Sequence, residues 1–448
     1  MRAGGNKAGY FRVFPRPRGG EIHGKTARGA LALLLCLCLL LTSCGGTGAN
    51  ILGGGNVEDL LRAPRTDAQQ SAVQTALNAY LGETLQLKYP RGGTQPDPVV
   101  FADLDGDGVQ EAAVLYTAQS KGQNVHLSVL EPAGEGWNVA YEVMGLSTEV
   151  AEVALCEVFP GSVQLLVGYA NQNLADKYLE VYDYYNVTVY SACRQPYDAY
   201  WMGTGTEGNV LLAIAAGIQQ AGAGTALTLY EPMERALVNT QTAILDERLE
   251  KCTGLSGTAF GSQRGFVVDG QTADGAASQF LELREGALTL CADNDLGGAA
   301  CYVRPQALRG LVPQDLDGSG ELLAAAAGES VATPRSEGRF YIVDWMDGMR
   351  TVPLRQSGIF DARGGVYIRM PDPWRETVQI AEQTDTSWQL RRREDNALLC
   401  TVRSAAVRSP GDTDSAAGAE DSDIQLEFGE ACSAWERRVL SEGVMRFS

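Results

Sequence analysis

From residue 99 onward, apolar and polar positions alternate with a period of two, the mark of strands whose successive side chains point to opposite faces. Ahead of that region the period is helical. Val73, Ala76, Leu77, Tyr80 and Leu81 recur at i, i+3, i+4, i+7 and i+8 across residues 66–82. Thr66 and Gln69 have capping-box spacing, and Gly82 supplies a C-terminal stop. The pattern predicts one helix with one apolar face, which must pack on something.

The strand-sized segments fall into six sets of four. The first is 99–102, 111–117, 125–130 and 137–143, and sets two to four span 153–192, 197–244 and 252–291. The fifth is 307–313, 321–327, 339–344 and 349–354, and the sixth is 365–370, 376–382, 387–392 and 397–402. In the first three sets a short strand and a turn-forming loop precede a strongly apolar strand. Those strands are Ala112-Ala113-Val114-Leu115-Tyr116, Leu165-Leu166-Val167-Gly168-Tyr169 and Leu211-Leu212-Ala213-Ile214. A repeat of about 45–57 residues suits four-stranded propeller blades, each of which needs neighbours to cover its faces. The expected fold is therefore mainly β: a β-propeller of about six to seven four-stranded blades over 99–403, with one N-terminal helix. Two unrelated β-sandwiches are the competing architecture. Residues 404–423, rich in Ser, Gly, Ala and Asp, read as a disordered acidic insertion. In 424–448, Ile424, Leu426 and Phe428 alternate like a closing strand, which in a ring would join the two ends of the chain.

Composition narrows the function classes. Abundant glycine (52 residues) and 17 prolines fit many short strands joined by tight turns. The chain carries 36 Lys/Arg against 55 Asp/Glu, a net −19. Residues 1–43 hold seven of the basic residues and one Glu, so the remainder falls to −25. Such acidity argues against nucleic acid as a partner, and against a polybasic contact with anionic lipid.

Beyond residue 43 there is one histidine, His126, at a polar-face position of an alternating strand and expected to be solvated. Histidine-based triads and zinc sites would all depend on it. Seven cysteines follow Cys44, and none forms a C-x-x-C pair. Cys291 and Cys301 bracket a turn-rich loop; a bridge across a hairpin and burial as small apolar residues both remain open. Gly203-Thr204-Gly205-Thr206-Glu207-Gly208 matches G-x-G-x-x-G, but a strand follows it where dinucleotide binding needs a helix.

The sharpest local motif is Asp103-Leu104-Asp105-Gly106-Asp107-Gly108-Val109-Gln110-Glu111. Carboxylates at positions 1, 3 and 5 of a glycine-permitted turn, a carbonyl near position 7 and an acid at position 9 make a hard-oxygen cage suited to calcium. Position 12 is Val114, so the loop is not an EF-hand. It resembles the calcium loops of FG-GAP/VCBS-type β-propellers, in which such a loop joins the first two strands of a blade. That resemblance implies Asp103, Asp105, Asp107, the Val109 carbonyl and Glu111 as ligands of a structural calcium ion. Asp315-Leu316-Asp317-Gly318-Ser319-Gly320-Glu321 is a partial echo, read as two residues shorter, with Ser319 in place of the third acid.

The start of the chain speaks to location. Basic residues from Arg2 to Arg28 lead into a short apolar run, 30–41, then Leu41-Thr42-Ser43-Cys44 and a Gly-rich tether over 44–56. A dozen apolar residues suit a signal-peptide core and fall short of the twenty or so that span a bilayer. The pattern resembles a bacterial lipoprotein signal over 1–43, which implies lipid (palmitate-type acylation) on Cys44 and attachment to the extracytoplasmic face of the cell membrane. An ordinary secretory signal is the alternative. With the lead-in and helix of 57–98, the layout also resembles uncharacterised lipoproteins of Gram-positive bacteria, a family with no known activity to carry over. The expected role is a non-enzymatic binding or scaffold module for an envelope protein or glycan. The alternative is an envelope polysaccharide hydrolase or lyase using paired carboxylates, a chemistry that needs no histidine.

Replacing Cys44 with alanine is expected to remove the protein from the detergent phase in Triton X-114 partitioning. Unchanged partitioning of a Cys44→Ala chain whose leader has been cleaved would exclude lipidation there.

Overall fold

A computed structural model describes residues 68–403 and 424–447, apart from 206–207, 219–223, 261–262, 294–295, 332, 334–337 and 350–354. The 1–43 leader, Cys44 with its tether, Thr66 and the 404–423 insertion lie outside the described residues. Among the described residues the chain is mainly β, with seven antiparallel sheets. No described helix is long and apolar enough to cross a membrane.

Helix α1 (Ala68–Leu81) buries Val73 and Leu77. Tyr80, expected on the apolar face, is 59% exposed, so the covered stripe is narrower than the periodicity implies. Gly82 adopts φ +70° and donates its N–H to the Asn78 carbonyl at 3.0 Å, ending the helix as a glycine stop should.

The first sheet holds β1 (Gln86–Leu87), β2 (Val99–Ala102), β3 (Glu111–Thr117), β4 (His126–Ala133) and β5 (Gly136–Met144). The second is β6 (Glu149–Cys156), β7 (Gln164–Ala170), β8 (Lys177–Tyr185) and β9 (Thr188–Pro196). The third is β10 (Ala199–Thr204), β11 (Val210–Gly217), β12 (Thr225–Met233) and β13 (Ala236–Ile244). In the fourth, β14 (Lys251–Phe260), β15 (Gln263–Thr272), β16 (Gly275–Arg284) and β17 (Ala287–Leu290) follow in order. The short pair β18 (Ala292–Asp293) and β19 (Gly298–Ala299) leads to β20 (Cys301–Pro305), which returns to β16. These four sheets match the four sets read from the sequence.

The fifth and sixth sheets regroup what was expected. The fifth is β21 (Ala324–Val331), β22 (Phe340–Met346), β23 (Arg355–Asp361), β24 (Val366–Arg369) and the chain's last strand, β29 (Val444–Arg446). The sixth is β25 (Val378–Thr384), β26 (Ser387–Arg392), β27 (Leu398–Arg403) and β28 (Gln425–Phe428). Helices α2 (Trp374–Thr377) and α3 (Ala434–Glu442) flank it in sequence. The expected strand at 307–313 is instead a 3₁₀ turn, Gln306–Leu308, and an irregular segment. Leu308 and Leu311 are buried three residues apart, the spacing of a helical turn. Counting that segment as a strand moved the later groupings by one, so 365–370 belongs to the fifth sheet. Of the expected 349–354 strand, Met349 lies in a turn and 350–354 fall outside the described residues.

The core explains why the apolar runs are so continuous. In the first sheet Ala112, Val114 and Tyr116 pack toward α1, whereas Ala113 and Leu115 pack on Val153, Leu165 and Val167 of the second. Leu166, Leu179 and Val181 then meet Leu212 and Ile214 of the third sheet, whose Leu211 and Ala213 meet Phe266 and Val268 of the fourth. Val267 and Phe280 continue to Ala324 and Met346 of the fifth, and Phe340 and Ile359 to Trp388 and Leu390 of the sixth. Sheets buried on both faces read as unbroken apolar strands.

The two ends of this series are different. On the first sheet, α1 occupies the face that a further blade would cover. On the sixth, Ala381, Gln389, Thr401 and Glu427 are in register on the side away from Trp388 and Leu390, a largely polar face. The C-terminal chain closes onto the fifth sheet, where Val444–Arg446 pairs with Val366–Arg369. The 424–428 strand completes the sixth sheet by pairing with β27, and does not join the N-terminal strands.

Ending the chain at Arg403 deletes β28, α3 and β29, which removes Cys432 and Leu440 from the shared core of the last two sheets. Amide exchange is expected to accelerate across Phe340–Met346 and Ser387–Arg392 while Glu111–Thr117 and Gln164–Ala170 stay protected. Acceleration through all six large sheets would instead mean that the ends are coupled around a ring.

Candidate metal centre

The loop between β2 and β3 is held by its own carboxylates. Asp103 accepts N–H bonds from Gly106 (2.8 Å) and Gly108 (3.0 Å). Asp105 accepts from the Asp107 N–H at 3.1 Å, and Asp107 from Val109 at 2.7 Å. Gly106 and Gly108 take φ of +81° and +89°, which lets the backbone wrap round Asp103. Glu111 begins β3 opposite Ala102, is only 2% exposed, and accepts the Leu104 N–H at 2.7 Å.

Oxygens of Asp103, Asp105 and Glu111 lie within 4.8 Å of one another. Of the four expected side-chain ligands, these three converge. Asp107 is turned to the Val109 N–H. Burial pushes Glu111 up to about 7, with the charges of Asp105, Asp107 and Asp103 adding to the rise and the Leu104 N–H opposing it. Asp105 is raised in the same way, by burial first and then by Asp107 and Asp103. Three hard oxygen donors whose charges repel one another fit a divalent cation.

The loop also lies at the junction of two sheets. A Cβ added at Gly106 would fall 1.9 Å from the Gly161 carbonyl oxygen in the corresponding loop of the second sheet. Tyr184 of β8 donates to Glu131 of β4 at 2.6 Å across the same junction. In the second sheet Gln164 pairs with Cys156 as Glu111 pairs with Ala102. Its amide oxygen accepts the Val158 and Phe159 N–H groups at 2.7 and 3.2 Å. A neutral side chain therefore does there what Glu111 does in the first sheet.

The echo loop turns out to have the same length, not a shorter one. Gln314 bridges to Leu323, enclosing eight residues as Ala102 and Glu111 do. Asp315 accepts from Gly318 (2.8 Å) and Gly320 (2.7 Å), and Asp317 from Ser319 (3.0 Å). Gly318 and Gly320 take φ of +77° and +85°. The ninth position, however, is Leu323, which is buried in the core. The turn thus forms without the converging acids, and what sets the first loop apart is Glu111.

Other residues singled out from sequence fall elsewhere. His126 is not solvated: it is 6% exposed, its Nδ1 lies 3.1 Å from Glu142, and its ring centroid is 5.8 Å from that of Tyr116. Its strand position faces the side that α1 covers, which period-two alternation alone does not distinguish from solvent. Cys291 and Cys301 are unpaired and belong to separate apolar clusters on the two sides of the fourth sheet. Burial pushes the Cys291 thiol up to about 12 and the Cys301 thiol up to about 11. Gly203 lies in β10, paired with Leu211, and Gly205 and Gly208 sit in the turn between antiparallel β10 and β11.

Sequence reading missed the ion pairs made by buried carboxylates. Arg304, fully buried, donates to both oxygens of Asp269 (2.7 and 2.8 Å) and to Ser278 (2.7 Å). Asp269 and Ser278 are register partners, as are Asp344 and Ser357 in the fifth sheet, where Ser357 donates to Asp344 at 2.6 Å and Arg375 joins them. Arg235 holds Asp183 at 2.7 and 3.2 Å, and Arg194 holds Glu180 at 2.6 Å. No local spacing signals these pairs, because the partners come from different strands or sheets.

No protein-family model and no curated protein sequence matches this chain. Among solved structures it is similar to Sqt1 of Saccharomyces cerevisiae at 9% identity and a TM-score of 0.29, over 81% of this chain and 99% of that one. The C-terminal domain of Pseudomonas aeruginosa PilY1 aligns at 11% identity and 0.27, over 58% and 57%. A Lactobacillus plantarum protein aligns at 11% and 0.25, over 81% and 98%. Likeness this slight bears on neither function nor blade number.

Glu111 has a predicted consequence for stability. An acid whose folded-state value is raised to about 7, from about 4.3 in an unfolded chain, binds protons more readily when folded. Its contribution to stability is therefore fully present below about pH 4 and is lost as pH rises to 7. In chelator, Glu111→Gln is expected to melt higher than wild type at pH 8 and level with it at pH 4.5. A lower melting temperature at pH 8 would show that the carboxylate is stabilising as it stands.

Proposed function

We propose that this protein is a membrane-anchored extracytoplasmic lipoprotein whose propeller-like stack, stabilised by calcium, serves as a non-enzymatic binding or scaffold module. The observation that carries the calcium reading is the convergence of Asp103, Asp105 and Glu111 at the junction of the first two sheets. The ion would supply charge neutralisation, while the loop's N–H groups already fix the orientation of Asp103 and Asp105. The resemblance to FG-GAP/VCBS loops supports the same assignment. Six large sheets that each pack on the next in chain order support a propeller-type relationship between them. Here α1 replaces a neighbouring blade on the first sheet.

The hydrolase alternative meets a specific obstacle. Glu250 and Asp269 both line a cleft on the fourth sheet, where a carboxylate pair would be sought. Both Asp269 oxygens are already engaged by Arg304, and one also accepts from Ser278. That engagement favours binding over acid–base chemistry.

Calorimetric titration with calcium should show one site in the wild type, weakened at least tenfold in Asp105→Asn and in Glu111→Gln. Asp317→Asn, in the loop that lacks the buried acid, should leave the titration unchanged. Neither heat nor a calcium-dependent melting shift in the wild type would reduce the loop to an ordinary turn. Affinity capture from envelope extracts with the protein as bait tests the binding role itself.

A further inference from the structure

We infer that the cleft on the fourth sheet is a binding site for a short neutral saccharide; this deepens, and rests on, the reading of the protein as a binding module. The cleft has a volume of about 660 Å³, within the roughly 300–1,000 Å³ typical of small-molecule sites. One wall is the face formed by β14, β15 and β16, and the other is the irregular segment that includes Gln306, Arg309 and Val312. Gly254 and Asp269 are register partners on that face. The cleft therefore lies over the pairing of β14, the end strand of its sheet, with β15.

Its charge is close to balanced. Asp269 is neutralised by Arg304 from behind, and the two remaining charged side chains, Glu250 and Arg309, are of opposite sign. A ligand with net charge would face no matching excess. Hydrogen-bonding capacity is nonetheless present in the lining, where Thr253, Ser256, Gln271 and Gln306 are neutral polar side chains. Ligand hydroxyls, which both donate and accept, suit such a wall, and Val312 offers apolar contact to a sugar's C–H face.

The fifth sheet shows the same Asp–Ser–Arg arrangement used differently. There the arginine, Arg375, comes from α2, whose Trp374 is buried in the core shared with the sixth sheet. In the fourth sheet the arginine comes from β20 within the sheet itself, and Asp269 is left lining an open cleft.

Gly254 allows a direct test. A Cβ there meets only the Asp269 Cβ at 3.6 Å, an ordinary contact, so Gly254→Tyr should fill the cleft without disturbing the strand. Saturation-transfer NMR with maltose, cellobiose and N,N′-diacetylchitobiose is expected to give transfer to at least one disaccharide. Gly254→Tyr should weaken that binding at least tenfold, and Ser256→Val, should the first variant fail to fold, about three- to tenfold. No transfer to any of the three, transfer unaffected by a folded variant, or transfer only to galacturonic acid or triglycine run in parallel would overturn the proposal. Affinity capture by the wild type distinguishes the levels: partner capture that survives in folded Gly254→Tyr without sugar binding leaves the module standing and removes only the cleft.

Discussion

Everything in this fold follows from sheets that are apolar on both faces. A strand such as β3, with Ala112, Val114 and Tyr116 on one side and Ala113 and Leu115 on the other, cannot leave either side in water. At about 25 cal/mol per Å² of apolar surface, one uncovered sheet face would offset much of a domain's net stability. Each sheet must therefore lie between two neighbours, and a chain of consecutive sheets has to solve the problem of its ends. This protein solves them with different materials: α1 on the first sheet and a polar face on the sixth. The C-terminal strand is spent on the fifth sheet, tying the last two units together through β24, β29 and the core around Leu440.

The repeat was legible because of that constraint. Continuous apolar runs separated by turn signals located the strands of the first four sheets and grouped them correctly. The same reasoning failed at 307–313, where Leu308 and Leu311 mimic a strand while following a helical spacing. It failed at His126 for a related reason: alternation reports which residues share a face, not whether that face is wet. Nor does a single sequence reveal that β20 returns to β16, or that β29 returns to β24, because both pairings skip over intervening strands.

Buried charge was the least visible feature. Arg304 and Asp269 lie 35 residues apart, and Arg339 and Asp361 lie 22 apart. Nothing local marks either pair, yet breaking a buried pair by removing one partner typically costs about 3–5 kcal/mol. The register identity of Asp269–Ser278 and Asp344–Ser357 shows that two sheets hold this arrangement at equivalent positions. The arginine is drawn from a different element in each, so the carboxylate and hydroxyl are the fixed part of the device and the cation is recruited from whatever follows.

The two Asp-Leu-Asp-Gly loops separate geometry from chemistry. Both form the same turn through the same N–H bonds to their first and third residues, with paired glycines at positive φ. Had only one been present, its regular shape would have invited the inference that a cation shapes it. The second loop adopts that shape with Leu323 where the first has Glu111, so the backbone conformation is paid for by the Asp side chains alone. Glu111 then stands out as a cost: a nearly buried carboxylate amid like charges, at a position where the second sheet makes do with neutral Gln164. A nearly buried carboxylate among like charges, placed where three oxygens converge at the junction of two sheets, is the feature on which the proposed cation rests.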